Sequence, residues 1–407
     1  MSELAVKNNA IGSTFIVAGT ALGAGMLAMP LATSGVGFWA TFLILLGLWA
    51  VMSYTALLLV EVYQHNDAET GLGSLAYKYL GRTGQWLTGL AMPFLLYSLV
   101  AAYLVGGGDI IQAFIHSIFG LSVPSYLGVI AFALVGALVV SIGTYSVDLV
   151  NRVLFTAKLF FLGAMLMLLL PHVEQINILT MPTAQALVLS AIPIVFTSFG
   201  FHGSVPSIVS YMKGDTDKLR WIFIIGSAIP LTIYVLWQLA TLGSIAINTF
   251  LGVLAQASGI NSLLEAVKTV AQSAYIELVV RMFAGLALAT SFLGVSLGLF
   301  DFLADVFQRK NNVTGRIQTS LITFLPPLFF ALFYPKGFIF ALGFAAIALA
   351  VLSLLLPSML ALKTRQQHKE GYQVKGGNLG LYTVFGLGLM IIGIQLAIVT
   401  GVLPEAG

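Results

Sequence analysis

The sequence predicts an all-α integral membrane protein, and three observations carry that prediction. Of 407 residues, 59% are hydrophobic and only 8% are charged, whereas soluble domains run at about 25% charged, so lipid must cover most of the surface. The apolar residues fall into runs long enough to cross a bilayer core, which takes about 20 residues per helix. These runs lack the alternation of barrel strands, and lipid requires each backbone group to be satisfied within its own segment, so the spans are helices.

Eleven spans follow in order: 11–32, 39–63, 86–110, 127–142, 150–170, 186–211, 221–247, 276–300, 317–334, 337–362 and 379–402. The first begins after a short polar lead, is too long for a signal-peptide core and is expected to be retained. Short loops join the spans and leave no polar stretch for a separate soluble domain, so 1–407 reads as one transmembrane domain. Cysteine is absent, which excludes disulfides and thiolate metal sites. The net charge of +3 is scattered over the loops, a membrane-topology pattern rather than a nucleic-acid patch.

With the N-terminus inside, one face holds fifteen of the 18 basic residues (Lys7, Lys78, Arg82, Arg152, Lys158, Lys213, Lys218, Arg220, Arg309, Lys310, Arg316, Lys363, Arg365, Lys369 and Lys375) and the other only Lys268, Arg281 and Lys336. The positive-inside rule therefore predicts a cytoplasmic N-terminus and a C-terminus outside. Two loop segments carry a helical apolar stripe. In 71–84 it comprises Leu72, Leu75, Tyr79 and Leu80; in 261–272 it comprises Leu263, Leu264, Val267 and Val270. Both predict amphipathic interfacial helices. The same element recurs five spans later on the opposite face, as two inverted five-helix halves require. The halves fall at 11–170 and 186–362, with 379–402 as an extra helix.

Spans one and six carry glycine clusters at mid-membrane, GTALGAGM (Gly19–Met26) and FTSFGFHGS (Phe196–Ser204), followed by Pro30 and Pro206. Close packing of small residues accounts for Gly19 and Gly23 alone. Matched clusters in both halves instead predict two unwound helices, the best pointer to a binding site in such proteins. Bared amides and a half-helix N-terminus attract an anion, while bared carbonyls suit a cation. An amino acid zwitterion brings one of each. Its carboxylate is expected on the amides of Gly23, Ala24 and Gly25, and its ammonium on carbonyls near Gly19, Phe196 and Thr197. Thr20 and Ser198 complete the two segments.

These motifs, together with LLLVEVYQH (Leu57–His65), SAIPIVFTSFGFHGSVPSIVSYM (Ser190–Met212), LATSFLGVSLGLFDFLAD (Leu288–Asp305) and the ending GVLPEAG, resemble the hydroxy and aromatic amino acid permeases over essentially the whole chain. The resemblance implies the amino acid–polyamine–organocation, or LeuT-type, fold: a five-plus-five inverted repeat with an eleventh transmembrane helix. It also implies proton-coupled import of an aromatic amino acid, foremost L-tyrosine, across the bacterial inner membrane by a monomer, with the proton as coupling ion and no cofactor.

In that fold, span five faces spans one and eight where sodium-coupled relatives hold an ion. Lys158 is then placed to replace the sodium, with Thr290 and Ser291 as the span-eight hydroxyls; the alternative is a lysine snorkelling to the interface. Glu61 either caps the inner end of span two or serves as a gate or proton relay. His202, the only histidine within a span, is expected near the substrate, bonding a phenol hydroxyl or titrating during transport. Phe199, Phe201, Tyr97 and Tyr103 are candidates for stacking the substrate ring. Asp109 reads as part of a wetted outer vestibule, Asp301 and Asp305 as solvated, and Gln238 as structural.

A channel would want rings of charge along one pore. A membrane enzyme would want a cluster such as HExxH, and an ATP-driven pump a nucleotide motif; none is present. A permease of the same fold for tryptophan or another amino acid remains the competing reading.

Overall fold

The computed structural model describes residues 3–256, 259–270, 274–309 and 312–405, with side chains throughout except at 3–9, 255, 256, 268 and 274. Ala271, Gln272 and Lys310, named above, lie outside the described residues. So do the side chains of Lys7 and Lys268 and the last two residues of the GVLPEAG ending.

The first span is two helices, α1 (Glu3–Ala21) and α2 (Gly25–Thr33), bent by 48° across the break. Gly37 turns the chain into α3 (Phe38–Tyr63) at φ 81°, and a Cβ there would lie 2.4 Å from the Thr180 carbonyl oxygen. Only glycine fits both conditions. α4 (Leu72–Phe119) contains the expected amphipathic segment and span three as one 48-residue helix. The two parts are kinked at Gly81, whose φ of 67° is non-helical. α5 (Ser125–Ile142) and α6 (Thr144–Leu169) complete the first half, and a short α7 (Gln175–Ile178) lies in the loop that follows.

Span six is also interrupted. α8 (Gln185–Ser198) stops, Phe199–Phe201 is irregular, a 3₁₀ turn covers His202–Ser204, and α9 (Val205–Tyr211) resumes. α10 (Thr216–Leu242) is capped by Asp215, which accepts from the Lys218 amide at 3.1 Å and from its ammonium at 2.6 Å. The Lys218 hydrogen bond holds that carboxyl below the usual range. The next loop holds α11 (Ile247–Gln256) and α12 (Ile260–Val270). The stripe of α12 is as expected, with Leu263, Leu264 and Val267 buried; α11 was not anticipated. α13 (Ala274–Val306), α14 (Val313–Phe333), α15 (Phe338–Ala350), a π-helical turn at Val351–Leu355, α16 (Leu356–Gln367) and α17 (Gly377–Val399) finish the chain. Ten helices are long and apolar enough to cross a membrane, eleven with the bent pair, among the described residues. No strand occurs among them.

α1 and α2, α3, α8 and α10 pack together as one group, and α4, α5, α6, α13 and α14 pack as another. Gly108 of α4 and Gly128 of α5 meet so closely that a Cβ on either would fall within 3 Å of the other helix's backbone. That contact explains Gly108, while a Cβ at Gly107 would run into the Phe132 ring of α5 and one at Gly106 into Leu288 and Phe338. Leu43, Trp86, Leu134, Leu138, Phe160, Met167 and Phe329 are exposed, as lipid-facing residues must be.

The outer-vestibule reading of Asp109 is corrected. The side chain is buried and its carboxylate accepts from the Ile260 amide, so it caps α12, which rests on α2, α4 and α13. Asp301 and Asp305 are exposed as expected, and Gln238 is buried, donating to Thr33 Oγ1 at 3.0 Å.

Candidate functional site

The helix ladder of span one runs as far as the Leu22 amide, which donates to the Ala18 carbonyl at 2.9 Å, and is given up at Gly23. The Gly23 amide folds back onto the Ala21 carbonyl at 2.6 Å, closing a tight turn, before α2 restarts. In span six the amides of Phe199, Gly200 and Phe201 turn onto the carbonyls of Phe196, Thr197 and Phe199 at 3.0, 3.2 and 2.9 Å. The Thr197 hydroxyl reaches across to the Leu342 carbonyl at 3.2 Å.

Peptide groups bared by a break in lipid need partners, and neighbouring helices supply them. Tyr234 on α10 places its hydroxyl 2.5 Å from the Ala21 carbonyl oxygen and 2.7 Å from that of Ser198, so one phenol links both breaks. Trp237, one turn along, donates to the Met26 carbonyl at 2.8 Å. The Ala24 amide donates to Ser291 Oγ at 2.9 Å. Lys158, only 3% exposed, donates to the Leu22 carbonyl at 2.8 Å, with Thr290 Oγ1 at 3.4 Å and the Phe155 ring centroid 4.4 Å from Nζ. The ammonium therefore sits between span one and span eight, where the resemblance placed it, and not at the interface.

A cavity of about 1170 Å³ runs to these breaks. Gly19, Thr20, Leu22, Gly23, Tyr103, Phe155, Lys158, Gly200, His202, Thr290 and Ser291 stand along its wall at the breaks. It extends to the start of α4 (Gly71–Ser74 and Tyr77), Asn151 on α6 and the end of α13 (Phe302 and Asp305). Among the described residues of α2, α11 and α12, none lines it.

The sequence candidates divide accordingly. Gly19, Thr20, Gly23, Tyr103, His202, Lys158, Thr290 and Ser291 reach the cavity. Ala24, Gly25, Phe196, Thr197, Ser198, Phe199 and Phe201 are buried behind it. Gly25 is pressed on the Ser198 backbone, where a Cβ would meet Cα at 3.1 Å. Phe199 packs edge-on against Tyr234, and Phe201 stacks towards Phe223. Tyr97 is turned to α14, donating to the Ile322 carbonyl at 2.8 Å. Glu61 lies away from the cavity, paired through both oxygens with Arg365 at 2.5 and 2.8 Å and accepting from the Val374 amide at 2.8 Å.

Sequence reasoning missed Tyr234, Trp237, Leu22 and Phe155. The first two sit in the regular part of span seven, where an aromatic residue carries no local sign that its polar tip serves another helix. Among the described residues no group of three or more His, Asp or Glu side chains could hold a metal ion.

Comparison with known proteins agrees with this architecture. The chain is 45% identical over 98% of its length to the tyrosine-specific transport system 1 of Haemophilus influenzae, covering 99% of that protein. It is 35% identical to a tryptophan-specific transport protein of the same organism, over 93% of each chain. Among solved structures, MhsT in complex with L-phenylalanine superposes with a TM-score of 0.62, at 16% identity over 95% of this chain and 98% of that one. A manganese transporter of Eremococcus coleocola superposes at 0.60, at 11% identity over 96% and 86%. At such identities the likeness shows a shared fold, the LeuT-type arrangement. The model of the tryptophan/tyrosine permease family matches residues 6–395, and the chain belongs to that family.

Proposed function

We propose that this protein imports an aromatic amino acid, L-tyrosine foremost, across the bacterial inner membrane by proton symport. The observation that carries the reading is the pair of interrupted helices, spans one and six, reached by one cavity that extends to the start of α4, to α6 and to the end of α13. Kinship with transport proteins named for tyrosine and tryptophan supports the substrate class. The cavity wall supports it chemically: Tyr103 and Phe155 offer ring surfaces, and the glycines of span one a close approach to backbone.

With the N-terminus in the cytoplasm, the cavity opens inward and the α12 side is the closed outer gate. The halves 11–170 and 186–362 act as inverted repeats that rock about the breaks, with 379–402 outside them. The Lys158 ammonium holds the Leu22 carbonyl in place of a metal cation. Surrendering its proton would loosen that hold, which ties protonation to the geometry of span one. Tryptophan is the alternative substrate.

Uptake of radiolabelled tyrosine into proteoliposomes, with proton and sodium gradients imposed separately, tests the proposal. Accumulation is expected with the proton gradient and inhibition by unlabelled tyrosine. Accumulation driven by sodium alone would overturn the coupling, and stronger competition by tryptophan than by tyrosine would reassign the substrate.

A further inference from the structure

Two residues one turn apart on α6 hold span one from the side. Lys158 reaches the Leu22 carbonyl at 2.8 Å. Phe155, three residues earlier, sets the end of its ring against Gly19, where a Cβ would lie 3.5 Å from Cζ and 3.6 Å from Cε2. The Lys158 Nζ stands over the same ring, 4.4 Å from its centroid. Residues three apart share a helix face, so the pair on α6 meets the pair Gly19 and Leu22 on span one. The ring is caught between the backbone of span one and the ammonium.

That ammonium is buried, and a buried charge is costly unless its surroundings answer it. It has three N–H donors to place, and two oxygens at hand: the Leu22 carbonyl, and Thr290 Oγ1 at the long distance of 3.4 Å. Among the described residues no carboxylate pairs with it. The surrounding elements bring little charge near. The described side chains of α1 and α2 include no titratable group, and α5 has only Tyr126. On α13 the nearest to Thr290 along the helix are Arg281 and Asp301, nine and eleven residues away, about 14 Å or more. On α10 Tyr234 is engaged with the Ala21 and Ser198 carbonyls, and Asp217, Lys218 and Arg220 sit in its first turns. On α6 itself Asp148 and Arg152 pair with each other in exposed positions, and His172 follows its outer end. The cavity wall adds Tyr77, Tyr103, His202 and, at the end of α13, Asp305. Beside its two oxygens, then, the ammonium has the electron-rich face of Phe155.

We propose that Phe155 is a positioning residue for coupling: its ring, seated against Gly19, holds its face to the Lys158 ammonium and so sets the pH at which that ammonium yields its proton. This rests on Lys158 carrying the coupled proton. The ring attracts the charged form and not the neutral amine, because the attraction is electrostatic and acts on a cation. Its seat on Gly19 gives the same contact a mechanical side. A shift of span one that withdraws Gly19 frees the ring, and the support for the charge goes with it.

Phenylalanine analogues with one, two and three ring fluorines, put in place of Phe155 in the full chain, test it. Fluorine drains negative potential from the ring face and scarcely alters its shape. The readout is the pH above which proton-driven tyrosine uptake into proteoliposomes falls to half its plateau. That midpoint is expected to move to lower pH with each fluorine, by about half to one and a half pH units over the series. Phe155→Leu, which keeps apolar bulk without a face, is expected at the far end of the series. An unmoved midpoint overturns the proposal. So does a uniform fall in uptake at every pH, which would make the ring a packing or substrate contact only. In the Lys158→Gln chain the series is expected to leave the pH profile of residual tyrosine exchange unchanged; the same stepwise shift there would break the link to Lys158. If the unaltered protein shows no proton-driven uptake, the coupling reading fails and this proposal with it. If Lys158→Gln loses that uptake while fluorine leaves the midpoint in place, the role of Phe155 alone fails.

Discussion

Lys158 anchors one of the two breaks, and under the proposed coupling it would also be the switch. Its Nζ reaches the Leu22 carbonyl at the break and lies near the Thr290 hydroxyl, so its charge organises a segment that has lost its own ladder. Removing the charge while keeping an amide donor separates the two roles. In Lys158→Gln, proton-driven accumulation of tyrosine is expected to fall by about tenfold or more, the equivalent of roughly 1.4 kcal/mol, while exchange of internal for external tyrosine persists. Proton-driven uptake equal to that of the unaltered protein would remove Lys158 from coupling. The sequence made Lys158, Thr290 and Ser291 legible through the family pattern, since each sits at a position where that pattern expects an ion. Phe199 and Phe201 show the limit of proximity along the chain. Both flank the break in span six, yet the turn swings their rings into the protein, one onto Tyr234 and the other towards Phe223, and nothing in FTSFGFHGS announces that direction.

Among the elements, the clearest surprise is the connection between α16 and α17. Glu61 and Gln64 at the end of α3 hold it: Glu61 binds Arg365 and the Val374 amide, and Gln64 both donates to the Tyr372 carbonyl and accepts from its amide. Arg220 from α10 covers the Tyr372 ring at 4.3 Å. Glu61 is thus a staple between elements. Breaking a buried pair from one side costs about 3–5 kcal/mol, so Glu61→Ala is expected to lower the thermal midpoint in detergent, with tyrosine affinity of the surviving folded protein near that of the unaltered chain. A selective loss of transport at unchanged midpoint would restore the gating reading. Beside this staple, His65 stacks on His368 with ring centroids 4.3 Å apart. Burial chiefly, then the neighbouring His368, push His65 below its ordinary value; Glu61 pulls the other way, and Lys78 adds a smaller downward push. The folded form favours the neutral ring, so the contact is intact above the ordinary histidine pKa of about 6.5 and weakens as pH falls through it, where the unfolded loop binds the proton more readily. Hydrogen exchange of the amides at 369–375, corrected for the intrinsic pH dependence, is expected to show less protection at pH 5.5 than at pH 7.5. Equal protection would mean the stack is incidental.

For the whole molecule, the span pattern was open to reading because lipid imposes length and apolarity on each segment, and the two breaks because glycines in mid-membrane are costly without a purpose. Long-range pairings were not: the capping of α12 by Asp109 joins residues about 150 positions apart, and a sequence records neither partner's direction. Topology rests on the uneven distribution of lysine and arginine, fifteen against three, and the absence of cysteine makes it directly measurable. With single substitutions Gln366→Cys and Thr400→Cys, an impermeant maleimide added to intact cells is expected to label only position 400, and position 366 only after permeabilisation. The opposite pattern would invert the orientation and, with it, the face on which the cavity opens.

The Tyr234 phenol has two carbonyls within reach, one from each interrupted helix, and only one hydrogen to give. The two discontinuities therefore share a common rivet anchored in a third, unbroken helix. Neither can swing by more than an ångström or so without the oxygen letting go of one neighbour and committing to the other. Under the proposed mechanism, any rearrangement that carries cargo past this level would pass through that choice and tie the movement of one broken helix to that of the other.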